Sequence, residues 1–165
     1  GFVNLGNSHD AAEFAAESVA RWRLAVGQFA YPNAAKLLIT CDGGGSNGSR
    51  LHLWKHQLAL LSQYAALEIH VCHFPPGTSK WNKVEHRLFC YITRSWQGQP
   101  LVDIQTAVDL ISNTTTAAGL TVICQTDDTV YELGVKVPDD IYASINLTRM
   151  DTLGDWNYSI YGFLN

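Results

Sequence analysis

Two carboxylates in this chain stand where phosphodiester chemistry needs them, in the segments LLITCDGGGSNGSR and HFPPGTSKWNKVEHRLF. Asp42 closes a short apolar run, Leu37-Leu38-Ile39-Thr40-Cys41, and is followed at once by the glycine-rich stretch Gly43-Gly44-Gly45-Ser46-Asn47-Gly48. Glu85 comes just after Pro75-Pro76-Gly77-Thr78-Ser79, at the start of an amphipathic segment. Carboxylates delivered from a strand end and a helix start can share a pair of divalent ions, typically about 3.5–4 Å apart, that activate a nucleophile for in-line attack on phosphorus. The glycines let the backbone turn sharply beside Asp42 and leave its side chain room. Lys80, Trp81, Lys83 and Arg87 crowd the approach to Glu85, and Arg50 follows the glycine-rich stretch. Such cations suit phosphate contacts. Trp81 could stack on a base or pack beneath the loop.

Other chemistries fit less well. The glycine-rich stretch lacks the Gly-Lys-[Ser/Thr] ending of a phosphate-binding P-loop and the GxGxxG of a dinucleotide fold. His52 and His56 are spaced i, i+4 as a zinc pair would be, but the Glu of HExxH is missing; His70 and His73 flank Cys72 without a matching second half. Structural roles are the better reading for all four histidines. No GxSxG elbow accompanies Ser46 or Ser49, which disfavours a Ser–His hydrolase.

The elements needed to position the two acids can be traced in the apolar pattern. A strand end at Val3–Leu5 precedes a helix from Ala11 to about Gln28, opened by Ser8, His9 or Asp10, with Phe14, Val19, Trp22 and Val26 on one face. A strand over Lys36–Cys41 carries Asp42. A helix from Arg50 to about Ala66 buries Leu51, Trp54, Leu58 and Leu61, and a strand follows over Leu67–Phe74. Further helices are expected at about Lys80–Trp96 and Val102–Thr114. Beyond Gly119 the pattern changes: Thr121–Gln125 and Val130–Val137 read as a β-ribbon, Pro138–Ile145 as a short helix and Trp156–Phe163 as an extended segment. Strand–helix alternation between residues 35 and 115 favours an α/β layer fold with a parallel central portion.

Composition narrows the setting. The chain has 165 residues, 47% of them apolar and 16% charged, enough for a sizeable core. No apolar run is long enough to span a bilayer. The four cysteines are scattered without a CxxC pair, which favours a reducing, cytoplasmic setting over a disulfide scaffold. The net charge of −4 argues against a free-standing DNA-binding module, which usually carries a basic patch. An acidic metal site that handles DNA is compatible with it, because bound cations reverse the local field.

CDGGGSNGSR and VCHFPPGTSKWNKVEHRLF together closely resemble the catalytic domain of bacterial insertion-sequence DDE transposases, specifically the Rhodopirellula-type family. HDAAEFAAESVARW, ISNTTTAAGLTV and GDWNYSI extend the likeness along essentially the whole chain. PPGTSKWNKVEH also resembles the corresponding segment of mariner-type transposases. The resemblance implies a ribonuclease H-like mixed sheet flanked by helices, with residues 1–118 as the core and 119–165 as a C-terminal β-rich extension. It maps the second family acid onto Asp42 and the third onto Glu85, sharing two Mg²⁺ or Mn²⁺ ions in one open cleft near Gly43–Gly45. Arg50, Lys80, Trp81, Asn82, Lys83 and Arg87 are then the DNA-contacting residues, with Asn82 one turn before Glu85 and able to orient it. Gly1–Leu5 becomes the third strand of the fold. The first two strands and the first catalytic Asp lie outside this chain, and Asp10 reads as a helix cap rather than that acid. The implied partners are transposon-end and target DNA, with a homodimer as the usual assembly. Two other readings stand beside this one: an inactive remnant or interaction domain that keeps the fold, and a nuclease or resolvase of the same fold.

Overall fold

The computed structural model describes residues 1–164, and of Ser79 only its backbone. In chain order the elements are β1 (Phe2–Gly6), α1 (Ala12–Trp22), α2 (Gln28–Ala30), β2 (Lys36–Asp42), α3 (His52–Ala65), β3 (Glu68–Phe74), α4 (Cys90–Trp96), α5 (Ile104–Ser112), β4 (Ile123–Asp127), α6 (Asp139–Ala143), β5 (Ile145–Arg149) and β6 (Asn157–Phe163). The result is a mixed α/β fold with helices and a mixed sheet. None of the described helices is long and apolar enough to cross a membrane. The chain divides into two compact units, residues 9–78 with 131–165, and residues 1–8 with 79–130.

The larger unit is built on a four-stranded sheet of order β2-β3-β6-β5. β2 and β3 run parallel, in register from Lys36↔Glu68 to Asp42↔Phe74, which requires the crossover that α3 supplies. β6 pairs antiparallel with both β3 and β5. α3 forms because Trp54, Leu58 and Leu61 recur at helical spacing; all are buried, against Ile69, Val71, Tyr158 and Ile160 of the sheet. Trp54 Nε1 donates to Tyr158 Oη at 3.0 Å inside this core. Ser62 Oγ donates to the Leu67 carbonyl at 2.5 Å and accepts from Gly162 N at 3.0 Å, fixing the helix end to the sheet. At the first residues of the β2–β3 ladder, Lys36 Nζ meets Glu68 Oε2 at 2.8 Å, and that hydrogen bond holds the Glu68 carboxyl below its usual range.

The smaller unit pairs β1 with β4 in a two-stranded parallel sheet, from Phe2↔Ile123 to Gly6↔Asp127. Its core is Leu88, Ile92, Ile111 and Val122, packed by Val3, Leu5, Val84 and Trp96. Asp103 caps α5: its Oδ1 accepts from Thr106 N at 2.7 Å, and this bond lowers the Asp103 pKa.

Several local expectations are corrected. Thr121–Gln125 and Val130–Val137 do not form a β-ribbon; the strand is Ile123–Asp127 and its partner is β1, more than a hundred residues away. Val130 and Leu133 are exposed, so the alternation there faces solvent and has no sheet to join. β5 was not expected, and it completes the sheet of the larger unit. The first helix loosens into a π-turn at Arg23–Gly27, and the helix placed at Lys80–Trp96 is a 3₁₀ turn at Ser79–Trp81 followed by a π-turn at Glu85–Phe89 and then α4. Asp10 is no helix cap: the N-cap of α1 is Ala11, without a side-chain cap bond.

Candidate active site

Asp42 is the last residue of β2, an edge strand, and is exposed. Its neighbour Cys41 faces the core, as strand alternation demands. The loop beyond is organised from within. Oriented to donate, the Asn47 amide bonds the Asp42 carbonyl at 3.0 Å and the Gly44 carbonyl at 2.7 Å. Gly45 adopts φ +64°, a backbone conformation that favours glycine, and a Cβ there would lie 3.1 Å from Asp10 Oδ2. Asp10 therefore borders the glycine-rich loop.

His73, buried near the end of β3, fastens this loop. Its Nε2 bonds the Asn47 carbonyl at 2.8 Å and its Nδ1 the Trp156 carbonyl at 2.9 Å. A cavity of about 360 Å³ opens beside the loop, bordered by Gly43, Gly45, Arg50, His73, Pro76 and Trp156. Arg50 is exposed, just ahead of α3. Asn47, His73 and Trp156 were not singled out as site residues on sequence grounds; the available signal was a histidine at an inward-facing position of a strand. Three further histidines hold structure as well: His52 stacks on Tyr142 with centroids 3.7 Å apart, His56 meets Phe163 edge-on, and His70 Nε2 lies 3.1 Å from Glu68 Oε1.

Glu85 belongs to the smaller unit, half-buried at the start of the π-turn. Asn82 is the residue that opens this helix. Its Oδ1 accepts from Val84 N at 3.4 Å, and its carbonyl accepts from Glu85 N at 3.2 Å. His86 Nε2 donates to the Lys80 carbonyl at 2.7 Å, tying the helix back to the turn before it. Lys80, Lys83 and Arg87 are exposed, and so is Trp81 at 56%, which removes the option of a Trp packed beneath the loop. The described residues thus place Asp42 and Arg50 in one unit and Lys80, Trp81, Asn82, Lys83, Glu85 and Arg87 in the other.

Hard carboxylate oxygens are the donors that magnesium and manganese prefer, so the chemistry of Asp42 and Glu85 suits such ions. No group of three or more His, Cys, Asp or Glu residues that could hold a metal occurs among the described residues.

Burial pushes the Cys41 thiol up to about 12, with the Asp42 and Cys72 charges adding to the effect. Burial also raises the Tyr158 phenol. Both groups are neutral acids whose folded pKa exceeds the unfolded one, so their contribution to stability is complete below the unfolded values. The thiol's share is lost as pH climbs through the window from its ordinary 9.0 to about 12, and the phenol's as pH climbs above its ordinary 10.0. Urea unfolding at about pH 8 and about pH 10.5 should therefore show lower stability at the higher pH, and Cys41→Ala should flatten that dependence.

A family model described as Rhodopirellula transposase DDE domain matches residues 1–162. No curated protein and no solved structure matches the chain.

Proposed function

The chain belongs to the Rhodopirellula transposase DDE domain family, and from that premise we propose that it is the ribonuclease H-like catalytic core of an enzyme that cleaves DNA and transfers the cut strand. The observation that carries this reading is the family match along residues 1–162, which takes in both the Asp42 loop and the Glu85 helix. Asp42 and Glu85 are two of the three acids this chemistry requires. Divalent ions are general to DDE transposases; bound here they would supply activation of water or of a DNA 3′-hydroxyl and stabilisation of the leaving oxygen.

The residues of this chain do the positioning. Asp42 offers its carboxylate from a strand end whose following loop is pinned at Asn47 and His73. Asn82, by opening the helix, sets the backbone from which Glu85 projects. Exposed Arg50, Lys80, Lys83 and Arg87 hold backbone phosphates, contacts that fix register without reading sequence. Trp81, exposed beside Lys80, offers a stacking face to an unpaired base.

The test is a joining assay. A complete protein carrying this domain is incubated with Mg²⁺, an oligonucleotide duplex of the element's end and a supercoiled plasmid. The expected product is plasmid with the oligonucleotide covalently joined. Cleavage without joining would reject strand transfer in favour of a nuclease or resolvase of the same fold.

A further inference from the structure

Lys55 plays no part in the reading above, yet its surroundings are unusual. It lies in the first turn of α3 within the larger unit and is only 3% exposed. Its Nζ donates to Tyr142 Oη at 3.3 Å and stands 5.2 Å from the Tyr158 ring centroid and 5.8 Å from that of Tyr142. Among the described residues no carboxylate pairs with it. Burying an ammonium without a counter-charge is costly, and two aromatic rings offset only part of that cost.

Lys55 lines a cavity of about 270 Å³ whose walls also carry Ser49, Arg50 and Arg149. The one carboxylate on its wall, Asp155, is bonded by Arg149 Nη1 and is otherwise open to solvent. The 14-residue helix α3 begins here without a side-chain cap, so its first backbone N–H groups and the positive end of its dipole add to the field. Three cations, a hydroxyl and a helix N-terminus against one committed carboxylate describe a site short of negative charge.

We propose that this cavity binds a phosphate group, with Lys55 as the buried counter-charge, Arg50 and Arg149 as the outer clamps and Ser49 as a further donor. The pocket adjoins the cavity beside the glycine-rich loop and shares Ser49, Arg50 and Trp156 with it. A polynucleotide backbone crossing that loop presents such a group, and so does free phosphate. The proposal stands on the pocket alone and does not depend on strand transfer.

Calorimetric titration of the full chain with inorganic phosphate, against chloride at equal ionic strength, tests it. Lys55→Met keeps the length and apolar stem of the side chain, and Arg149→Gln alters a partly exposed group, so the second variant carries the test if the first does not fold. Each is expected to weaken phosphate binding by about tenfold or more, the effect of losing a hydrogen bond to a charged group. A parallel anisotropy titration with a short DNA duplex identifies the source. Weaker duplex binding by the variants, with inorganic phosphate competing against duplex in the wild type, assigns the pocket to the nucleic-acid backbone; unchanged duplex binding assigns it to free phosphate. Wild-type chain that binds phosphate no better than chloride, or no better than both variants, overturns the proposal.

Discussion

Asp42→Asn, introduced into a complete protein carrying this domain, is expected to reduce strand transfer by about 10³-fold or more. Metal-borne charge stabilisation of a transition state is worth several kcal/mol, and each 1.36 kcal/mol is a factor of ten in rate, so under the proposed assignment of Asp42 as a metal ligand its loss removes about three or more powers of ten. The substitution is chosen because it should spare the fold. Asp42 is exposed, its pairing with Phe74 runs through the backbone, and the Asn47 amide bonds its carbonyl rather than its side chain. Unfolding of the variant should therefore match that of the parent. The Cys41 thiol gives an internal check: Asp42 contributes to its raised pKa, so that value should fall slightly in the variant. Glu85→Gln should lose about as much, and the double variant little more, because residues acting as a unit are not additive. Near-parental joining by either single variant rules out the assignment of the two acids.

Trp54→Ala is expected to cost about 3–5 kcal/mol of stability, the range for deleting a large buried aromatic. Trp54 is 2% exposed and Tyr158, to which it donates, is 0% exposed. Removing the indole leaves both a cavity under the sheet and a buried phenol without its donor, and each is unfavourable on its own. The loss is comparable to the whole stability of many domains, so the larger unit should be largely unfolded in about 2 M urea. Tyr158→Phe, which keeps the ring and removes only the hydroxyl, should cost about 1 kcal/mol. A Trp54→Ala loss no larger than that of Tyr158→Phe would place the stabilising contacts elsewhere.

What could be read from the chain depended on how local the determining contacts were. β2, α3 and β3 were legible because each carries its own signal: an apolar run ending in Asp42, helical spacing of Trp54, Leu58 and Leu61, and a run stopped by Pro75-Pro76. The same is true of Asp42 and its loop, where residue types and glycines are adjacent in sequence. β4 was misread because its partner is β1, and no local periodicity encodes a pairing across that distance. β5 was missed because Ile145–Arg149 is short, directly follows α6 and takes its strand character from β6. His73 looked like one of several scattered histidines until Asn47 and Trp156 were seen at its two nitrogens. Lys55 resembled any helical lysine, since its burial is decided by Tyr142 and Tyr158 from the far end of the chain.

The position of β6 between β3 and β5 has a temporal meaning. During synthesis β2, its glycine-rich loop and β3 leave the ribosome early, but the Trp156 carbonyl that completes the His73 clasp does not yet exist. Until β6 is made, β3 also lacks its antiparallel neighbour, and the loop following Asp42 is held from one side only. Contacts of such sequence separation close late and slowly. A nascent chain therefore carries Asp42 on an unfinished mount, and the glycine-rich loop acquires its final geometry only once β6 has joined the sheet.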